Sequence, residues 1–330
     1  MTHLKENRLS PGEGLINLQP STSQCWFTTL QAAYPLKFLS PTPLPSQPAN
    51  VSVLYTLAYG GGLVAGDTVG VRGEIGESCG LIMLTQGSTK VYKRRPNLCR
   101  PLSHSSINIG DAENSSYFNP NLTRQRMHLR LAPHAFLLVL PDSISPFASS
   151  VYSQAQRFIL PEDGTASILI LDWVNSGRGQ RHKDMKEEIW SMDRYASNNE
   201  VYVGKRLVMR ERIVLDNENT LKDDHGEDGL SKIASQLSPY NVYATALFLG
   251  SRFAAFSSHL AQLSHQSRQY QLKEPPRLVW SFSEVDQSTG AGVVRVAATE
   301  VEEARRWLRG AMTAGGVAAL VGEGLWSRCI

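Results

Sequence analysis

Hydrophobic and polar residues alternate with a period of two along much of the first 215 residues, which is typical of strands with one buried face. The alternation is clear at residues 51–59 and 69–75. Three other segments are short, continuous apolar runs, at residues 81–84, 136–140 and 168–171. Such runs predict strands that are covered on both faces. The region 21–215 is therefore predicted to be β-rich.

One local pattern recurs in this region, at residues 71–84, 129–140 and 157–171. In each case a strand reaches a corner of small or acidic residues and a second, apolar strand follows. Neighbouring units must cover the apolar faces of each pair of strands, so the pattern predicts a layered or helical β architecture. Residues 200–215 predict a hairpin that turns at Gly204 and Lys205.

The pattern changes after residue 231. Apolar residues at helical spacing predict a helix over residues 253–266, and strands are predicted at 278–285 and 293–297. A second helix is predicted over 299–309, with Thr299 as its cap. The fold class is therefore mainly β, with a smaller α+β portion over 231–330.

Two polar segments predict parts of the chain outside this core. Residues 1–20 are rich in Gly, Pro, Ser and Asn, which predicts a flexible N-terminal arm. Residues 216–230 are acidic and nearly devoid of apolar side chains, which predicts a mobile surface insertion. Prolines 41, 43, 45 and 48 predict a loop over 40–50.

Composition excludes several classes of protein. The 33 basic and 30 acidic side chains leave a net charge of +3, too small an excess to favour nucleic acid as a partner. No apolar run reaches the roughly 20 residues that span a bilayer. The polar amino terminus shows no apolar signal core, so we expect a cytoplasmic location without membrane insertion.

Local motifs indicate neither catalysis nor an organic cofactor. Gly60, Gly62 and Ala65 match a relaxed dinucleotide fingerprint, but a strand follows where that motif needs a helix. A glycine turn with close backbone contact is the better interpretation. The eight histidines and four cysteines form no metal-binding motif. The even cysteine number would allow two disulfides, but free thiols are expected in a reducing cytosol.

Seven segments, taken in order, carry a specific resemblance. They are 60–67, 84–92, 141–148 with the downstream Gln154, 171–178, 188–190, 210–216 and 240–245. On these segments the sequence resembles the urease accessory protein UreD family, also called UreH, and particularly its fungal members. The matching motif residues are Gly60, Gly61, Gly62, Gly66, Thr85, Gln86, Lys90, Tyr92, Phe147, Gln154, Gly177, Arg178, Trp190 and Tyr243.

The resemblance implies a single UreD-like domain over 21–330 and no reaction of its own. Family members assemble with a UreF-like accessory protein and a UreG-like GTPase, dock on apo-urease and help to deliver nickel. An internal tunnel is thought to carry the ion. Two features depart from the family pattern: Ala65 replaces a glycine, and the stretch between Arg178 and Glu188 is longer. That stretch is either a solvated turn or a docking loop.

Nickel in transit requires exchangeable oxygen and nitrogen ligands rather than a closed site. Asp67, Asp142, Asp172 and Glu188 lie in the matched segments and are candidate stations on such a path. Capping of strand ends and turns is the competing interpretation of each carboxylate. Two other functions stay open: a hydrolase or lyase that pairs Asp172 with Glu188, and a purely structural binding module.

Overall fold

The computed structural model describes residues 9–22, 24–95, 121–179, 188–217, 231–267, 275–286 and 289–330. Within these ranges the strands form two sheets, sheet A with seven strands and sheet B with eleven. Sheet A contains β1 (Glu13–Pro20), β2 (Cys25–Ala32), β6 (Thr68–Ile75), β9 (Thr123–Leu131), β12 (Val151–Leu160), β14 (Arg194–Val203) and β15 (Arg206–Asp216). Sheet B contains β3 (Leu36–Leu39), β4 (Val51–Ala58), β5 (Gly62–Leu63), β7 (Gly80–Leu84), β8 (Thr89–Val91), β10 (Phe136–Val139), β11 (Ile144–Pro146), β13 (Ser167–Asn175), β16 (Val242–Leu249), β17 (Leu278–Asp286) and β18 (Ala291–Ala298).

Three strand–corner–strand units build both sheets at once. β6 leads through residues 76–79 to β7, β9 leads through 132–135 to β10, and β12 leads through 161–166 to β13. The first strands of these units are parallel neighbours in sheet A, and the second strands are parallel neighbours in sheet B. Each unit adds one strand to each sheet, like successive turns of a helix. The predicted layered and helical β architecture is confirmed.

Two apolar cores account for the two sequence patterns. Ile16 and Leu129 of sheet A share one buried core with Leu81 and Ile168 of sheet B. The opposite face of sheet B forms a second core with the helices. Strands β1 and β12 of sheet A bury one face and alternate, whereas β7, β10 and β13 of sheet B bury both faces and form continuous apolar runs. The alternating segment 51–59 is an exception, because it forms β4 of sheet B.

The helices that cover the second face of sheet B are α2 (Ala254–Gln266), α3 (Val301–Ala314), α4 (Val317–Val321) and α5 (Glu323–Trp326). The short helix α1 (Lys232–Leu237) instead packs its buried residues in the first core. Both predicted helices are present, as α2 and α3. The predicted cap of α3 is wrong, because Glu300 occupies that position. The hydroxyl of Thr299 donates to the Glu303 carboxylate at 2.8 Å instead of accepting a backbone N–H. None of the described helices has the length and apolar character needed to cross a bilayer.

The predicted flexible N-terminal arm is wrong for residues 13–20. Residues 13–20 form β1, which pairs with both β2 and β6, and Ile16 and Leu18 are fully buried. Burial of these alternating side chains offsets the entropy lost when the segment is ordered. Residues 1–8 lie outside the described ranges.

The other predicted connections have mixed outcomes. Asp216, the first residue of the predicted insertion, is the last residue of β15 and pairs in register with Arg194. Residues 218–230 lie outside the described ranges. The predicted hairpin is confirmed as β14 and β15, with Gly204 at a φ of 59° in its turn. The predicted loop over 40–50 is also confirmed.

Candidate functional site

The interior between the two sheets is polar at one end. Register between parallel strands places Gln125 of β9 beside Gln154 of β12, and Gln154 beside Ser197 of β14. Gln156, the next inward-facing residue of β12 after Gln154, lies beside Asn199 of β14. Four of these residues are buried, Gln125 being partly so. The strands thus bring amide and hydroxyl groups together inside an otherwise apolar core.

Asp172 of β13 faces this polar layer from sheet B and is only 3% exposed. Its Oδ1 accepts hydrogen bonds from Gln154 Nε2 at 3.2 Å and from Tyr195 OH at 3.5 Å. Its Oδ2 accepts from Ser197 Oγ and, at 2.6 Å, from Asn199 Nδ2. The donors come from two strands of sheet A, so the carboxylate joins the two sheets through polar contacts.

The electrostatics of Asp172 are set by a balance of two effects. Burial raises the pKa of this carboxyl, and the four hydrogen bonds from its neighbours lower it. Burial is the larger effect, so the pKa lies above the ordinary value of an aspartic acid. All four donors are neutral, and they stabilise the negative charge without cancelling it. A cation that reached Asp172 would relieve this cost.

Two small cavities lie between the sheets, and the first of them borders the Asp172 carboxylate. The first, of about 30 Å³, is lined by residues that include Asp172, Gln154 and Gln156. The second, of about 50 Å³, reaches toward Leu57 and Arg126. Both cavities are lined by Thr56, Thr85, Thr89, Gln125 and Met127. The shared lining makes them neighbouring cavities between the sheets, and the two together are called the channel below.

Two buried oxygen atoms, one on a residue lining the first cavity and one on a hydrogen-bond partner of Asp172, have no hydrogen-bond partner in the described structure. They are Gln156 Oε1 and Asn199 Oδ1, respectively. An unsatisfied buried carbonyl oxygen costs about 1–3 kcal/mol unless water or an ion binds it. Carboxylate and amide oxygens are a donor set suited to hard or borderline divalent cations, including nickel.

Asp142 lies at the rim of the first cavity. Its carboxylate forms an ion pair with Arg305 of α3 at 2.7 Å and accepts the Gly87 N–H at 2.9 Å. The Asp142 N–H in turn donates to the Thr85 hydroxyl at 2.8 Å. Two of the four predicted carboxylates, Asp142 and Asp172, therefore share one cavity.

The other two predicted carboxylates do not line either cavity. Asp67 closes a turn before β6, because its Oδ2 accepts the Val64 N–H at 2.9 Å. Burial raises the pKa of Asp67. Glu188 forms an isolated bridge with Gly179, and its buried Oε2 has no partner among the described residues. The structure does not bring Glu188 into contact with Asp172, so the predicted carboxylate pair is absent from the described site.

The glycine turn has the predicted character. Gly60, Gly61 and Gly66 have φ values of 81°, 74° and 87°. Gly62 has extended backbone, but a Cβ added there would lie 2.6 Å from the Lys90 carbonyl oxygen. Close passage of β5 and β8 therefore requires a glycine at position 62.

Several motif residues form a packed junction beside β11. The Tyr92 ring packs edge-on against Phe147 with centroids 5.4 Å apart, and the Arg178 guanidinium lies 4.1 Å from the Phe147 centroid. Gly177 has a φ of 105°, and a Cβ there would lie 2.9 Å from the carbonyl oxygens of Glu188 and Pro146. These residues support the fold rather than line the channel.

Trp190 anchors the same end of the molecule. Its indole Nε1 donates to the Tyr240 carbonyl oxygen at 2.9 Å, and its ring packs against Tyr243. Of the other motif residues, Gln86 is exposed in the loop after β7, whereas Gln154 and Thr85 line the channel.

The sequence-based prediction missed the partners of Asp172 on β14. Tyr195, Ser197 and Asn199 alternate along this strand, and each points inward. The sequence shows that polar side chains alternate along this strand. It does not show whether they face the interior or the solvent, because that depends on how the sheets pack. Tyr152 was missed as well, although its hydroxyl donates to Gln154 Oε1 at 3.0 Å.

The chain is similar in sequence to several known proteins. Residues 12–325 match the family model described as "UreD urease accessory protein". The chain is 64% identical to "Urease accessory protein 4" of Cryptococcus neoformans var. grubii, over 98% of this chain and 96% of that protein. It is 26% identical to "Urease accessory protein D" of Arabidopsis thaliana, over 86% and 89% of the two chains. It is 30% identical to "Urease accessory protein UreD" of Sorangium cellulosum, over 85% and 73%.

A two-sheet β protein with small cavities between its sheets is the class that the fold defines. The chain belongs to the UreD urease accessory protein family. Its role is that of an accessory protein in urease maturation rather than that of an enzyme, which removes the hydrolase or lyase alternative. Within the described residues, no group of three or more His, Cys, Asp or Glu side chains could hold a metal ion.

Proposed function

We propose that this chain is a scaffold subunit that docks UreF-like and UreG-like proteins on apo-urease and passes nickel through its interior to the urease active site. Membership of the UreD family supports the link to urease maturation. The observation that carries the nickel part is the buried carboxylate of Asp172 beside the channel between the sheets. Nickel is cargo in this proposal, not a resident cofactor.

The donor set of the channel suits transit. Asp172 offers one negative charge, and the surrounding Gln and Asn side chains offer neutral oxygen atoms. One carboxylate without a cluster of histidines or cysteines binds a divalent ion weakly, so the ion can exchange ligands and move on. A desolvated negative charge nevertheless favours a cation over water in the interior.

The positions of the two channel carboxylates suggest an order of passage. The Asp142 side chain is 19% exposed at the rim, whereas Asp172 lies inside. Arg305 pairs with Asp142 and would have to release that carboxylate before it could bind the ion. The second cavity continues the channel from the shared threonines toward Arg126.

The decisive experiment removes the negative charge of the Asp172 side chain and keeps its shape. Asp172→Asn should lower the nickel content and activity of urease several-fold after co-expression with the maturation proteins, while co-purification with those proteins is unchanged. Added nickel should restore part of the activity. Asp163→Asn is the matched control, because Asp163 is exposed in the corner between β12 and β13 and contacts Thr165 there.

Two results would overturn the nickel path. Normal nickel loading by a folded Asp172→Asn chain would leave a purely structural binding module as the function. Tight stoichiometric nickel binding by the isolated chain in calorimetry would indicate storage instead of transit.

The docking role makes a separate prediction about solubility. Strand β2 is one of the two edge strands of sheet A and β3 is one of the edge strands of sheet B, and exposed aromatic side chains lie near them. Trp26 is 52% exposed and Tyr34 is 71% exposed. Open edges and apolar surface favour self-association unless a partner covers them. Size-exclusion chromatography should show that the chain aggregates alone and elutes as a soluble complex with a UreF-like partner. A stable monomer whose elution the partner does not change would contradict this role.

The proposal includes the cytoplasmic location that the sequence predicts. Fluorescence microscopy of the tagged full-length chain tests this point, and an organellar or surface signal would contradict it.

A further inference from the structure

Two cysteines that are far apart in the sequence meet at one corner of the fold. The sulfur atoms of Cys25 and Cys79 lie 2.7 Å apart, although 54 positions separate the residues. Cys25 is the first residue of β2 at the edge of sheet A, and Cys79 ends the corner that leads into β7 of sheet B. Both residues are free thiols in the structure.

The surroundings distinguish the two thiols. Cys25 is 7% exposed, and its thiol lies 3.2 Å from the carbonyl oxygen of Asn50, which ends the loop over residues 40–50. Cys79 is fully buried, and burial raises the pKa of its thiol. The less buried Cys25 is the thiol that a small reagent reaches first, since reactivity follows exposure and thiolate character.

Other roles for the pair find less support. No third metal-ligating side chain joins the two sulfur atoms within the described part of the chain. Cys329 lies in the other core, where its thiol contacts the Leu325 carbonyl oxygen. The structure therefore provides one thiol pair and, in Cys329, a buried single thiol for comparison.

We propose that Cys25 and Cys79 are a reversible oxidation site, at which a hydroperoxide converts the two thiols into a disulfide. The sulfur of Cys25 attacks the terminal oxygen of the hydroperoxide, the O–O bond breaks, and an alcohol or water leaves. The resulting sulfenic acid on Cys25 is then attacked by the Cys79 sulfur, which forms the S–S bond and releases water. Two thiols are oxidised and one peroxide is reduced, so electrons and protons balance.

Contact between the sulfur atoms favours the second step. A resolving thiol held beside the sulfenic acid reacts intramolecularly, before a second oxidant molecule or a free thiol can arrive. The bond would tie β2 of sheet A to the corner before β7. It would thereby close a loop of 54 positions at an open edge of the fold.

The test uses the full-length chain, treated with hydrogen peroxide, blocked with N-ethylmaleimide and analysed by peptide mass spectrometry. We expect a Cys25–Cys79 cross-linked peptide as the main product, lost after dithiothreitol. We also expect Tm to rise by about 5 °C on oxidation, because the cross-link restricts the unfolded chain. Cys329 should stay alkylatable after unfolding.

Two variants test whether the Cys25–Cys79 pair causes the rise in Tm. Cys25→Ser and Cys79→Ser should each fold in the reduced state and lose the peroxide-dependent rise in Tm. A rise that persists in either variant would refute the pair as its cause. Sulfinic acid or a glutathione adduct on Cys25, with Cys79 still free in the wild-type chain, would overturn the proposal. None of these readouts depends on urease activation, so the nickel proposal is tested separately.

Discussion

Glu200 is a nearly buried carboxylate whose contribution to stability follows from its contacts. It is 4% exposed on β14, and Arg157 donates to its Oε2 at 3.1 and 2.9 Å. Arg210 donates to its Oε1 at 3.1 and 2.7 Å. Tyr202 OH and Asn198 Nδ2 add bonds of 3.1 and 3.2 Å. Glu200→Gln removes the charge and keeps the length of the side chain.

The pKa of Glu200 sets the size of the effect. Burial raises this pKa, but the hydrogen bonds from Asn198, Arg157 and Arg210 and the charge of Arg157 lower it from 4.5 to about 2. At about 1.4 kcal/mol per pKa unit, the shift corresponds to about 3 kcal/mol. The Arg210 side chain is 55% exposed. Solvent screening at this partner reduces the expected loss to about 2–3 kcal/mol.

The sign of the pH dependence follows from linkage. The folded pKa lies below the unfolded pKa, so the unfolded chain binds the proton more readily. The stabilisation is therefore complete well above the unfolded value of 4.5 and is lost as the pH falls toward the folded value of about 2. Glu200→Gln should unfold more easily at neutral pH and approach the wild-type stability in acid.

Urea unfolding of the two chains over a pH series measures this difference directly. The Glu74→Gln chain is the matched control, because Glu74 is an exposed carboxylate on β6 of the same sheet. It should change the free energy of unfolding by less than about 0.5 kcal/mol. The reasoning is refuted if Glu200→Gln costs no more than this control at neutral pH, or if its cost does not shrink in acid.

Three further substitutions test the packing. Gly62→Ala should cost about 1–3 kcal/mol, because the new Cβ would meet the Lys90 carbonyl oxygen at 2.6 Å; an unchanged Tm would contradict this. Trp190→Phe should lower the free energy of unfolding by about 1–3 kcal/mol, since the Tyr240 carbonyl oxygen loses its 2.9 Å bond; equal urea midpoints would argue against it. Leu308→Ala should lower the free energy of unfolding by about 2–5 kcal/mol, because it leaves a cavity in the core between α3 and sheet B. An unchanged Tm in calorimetry would contradict the packing of Leu308 in that core.

The candidate site was only partly predictable from the sequence. Asp142 and Asp172 were predicted as separate stations, and the structure places both at one cavity. The contact between Asp142 and Arg305 spans 163 positions and has no local signature. The partners of Asp172 lie 18 to 27 positions away on other strands, so only the strand register reveals them.

The sequence alone determined the β-rich character of residues 21–215, the apolar runs that become strands buried on both faces, and the helices α2 and α3. Burial on one face leaves a period of two, and burial on both faces leaves an apolar run, so this information is local. Only the tertiary structure decided which side chains meet, among them Asp172 with Ser197 and Cys25 with Cys79. The reason is that contacts across the sandwich depend on the register of parallel strands and on the path of each corner. Packing of the two cores fixes both, and distance along the chain does not encode them.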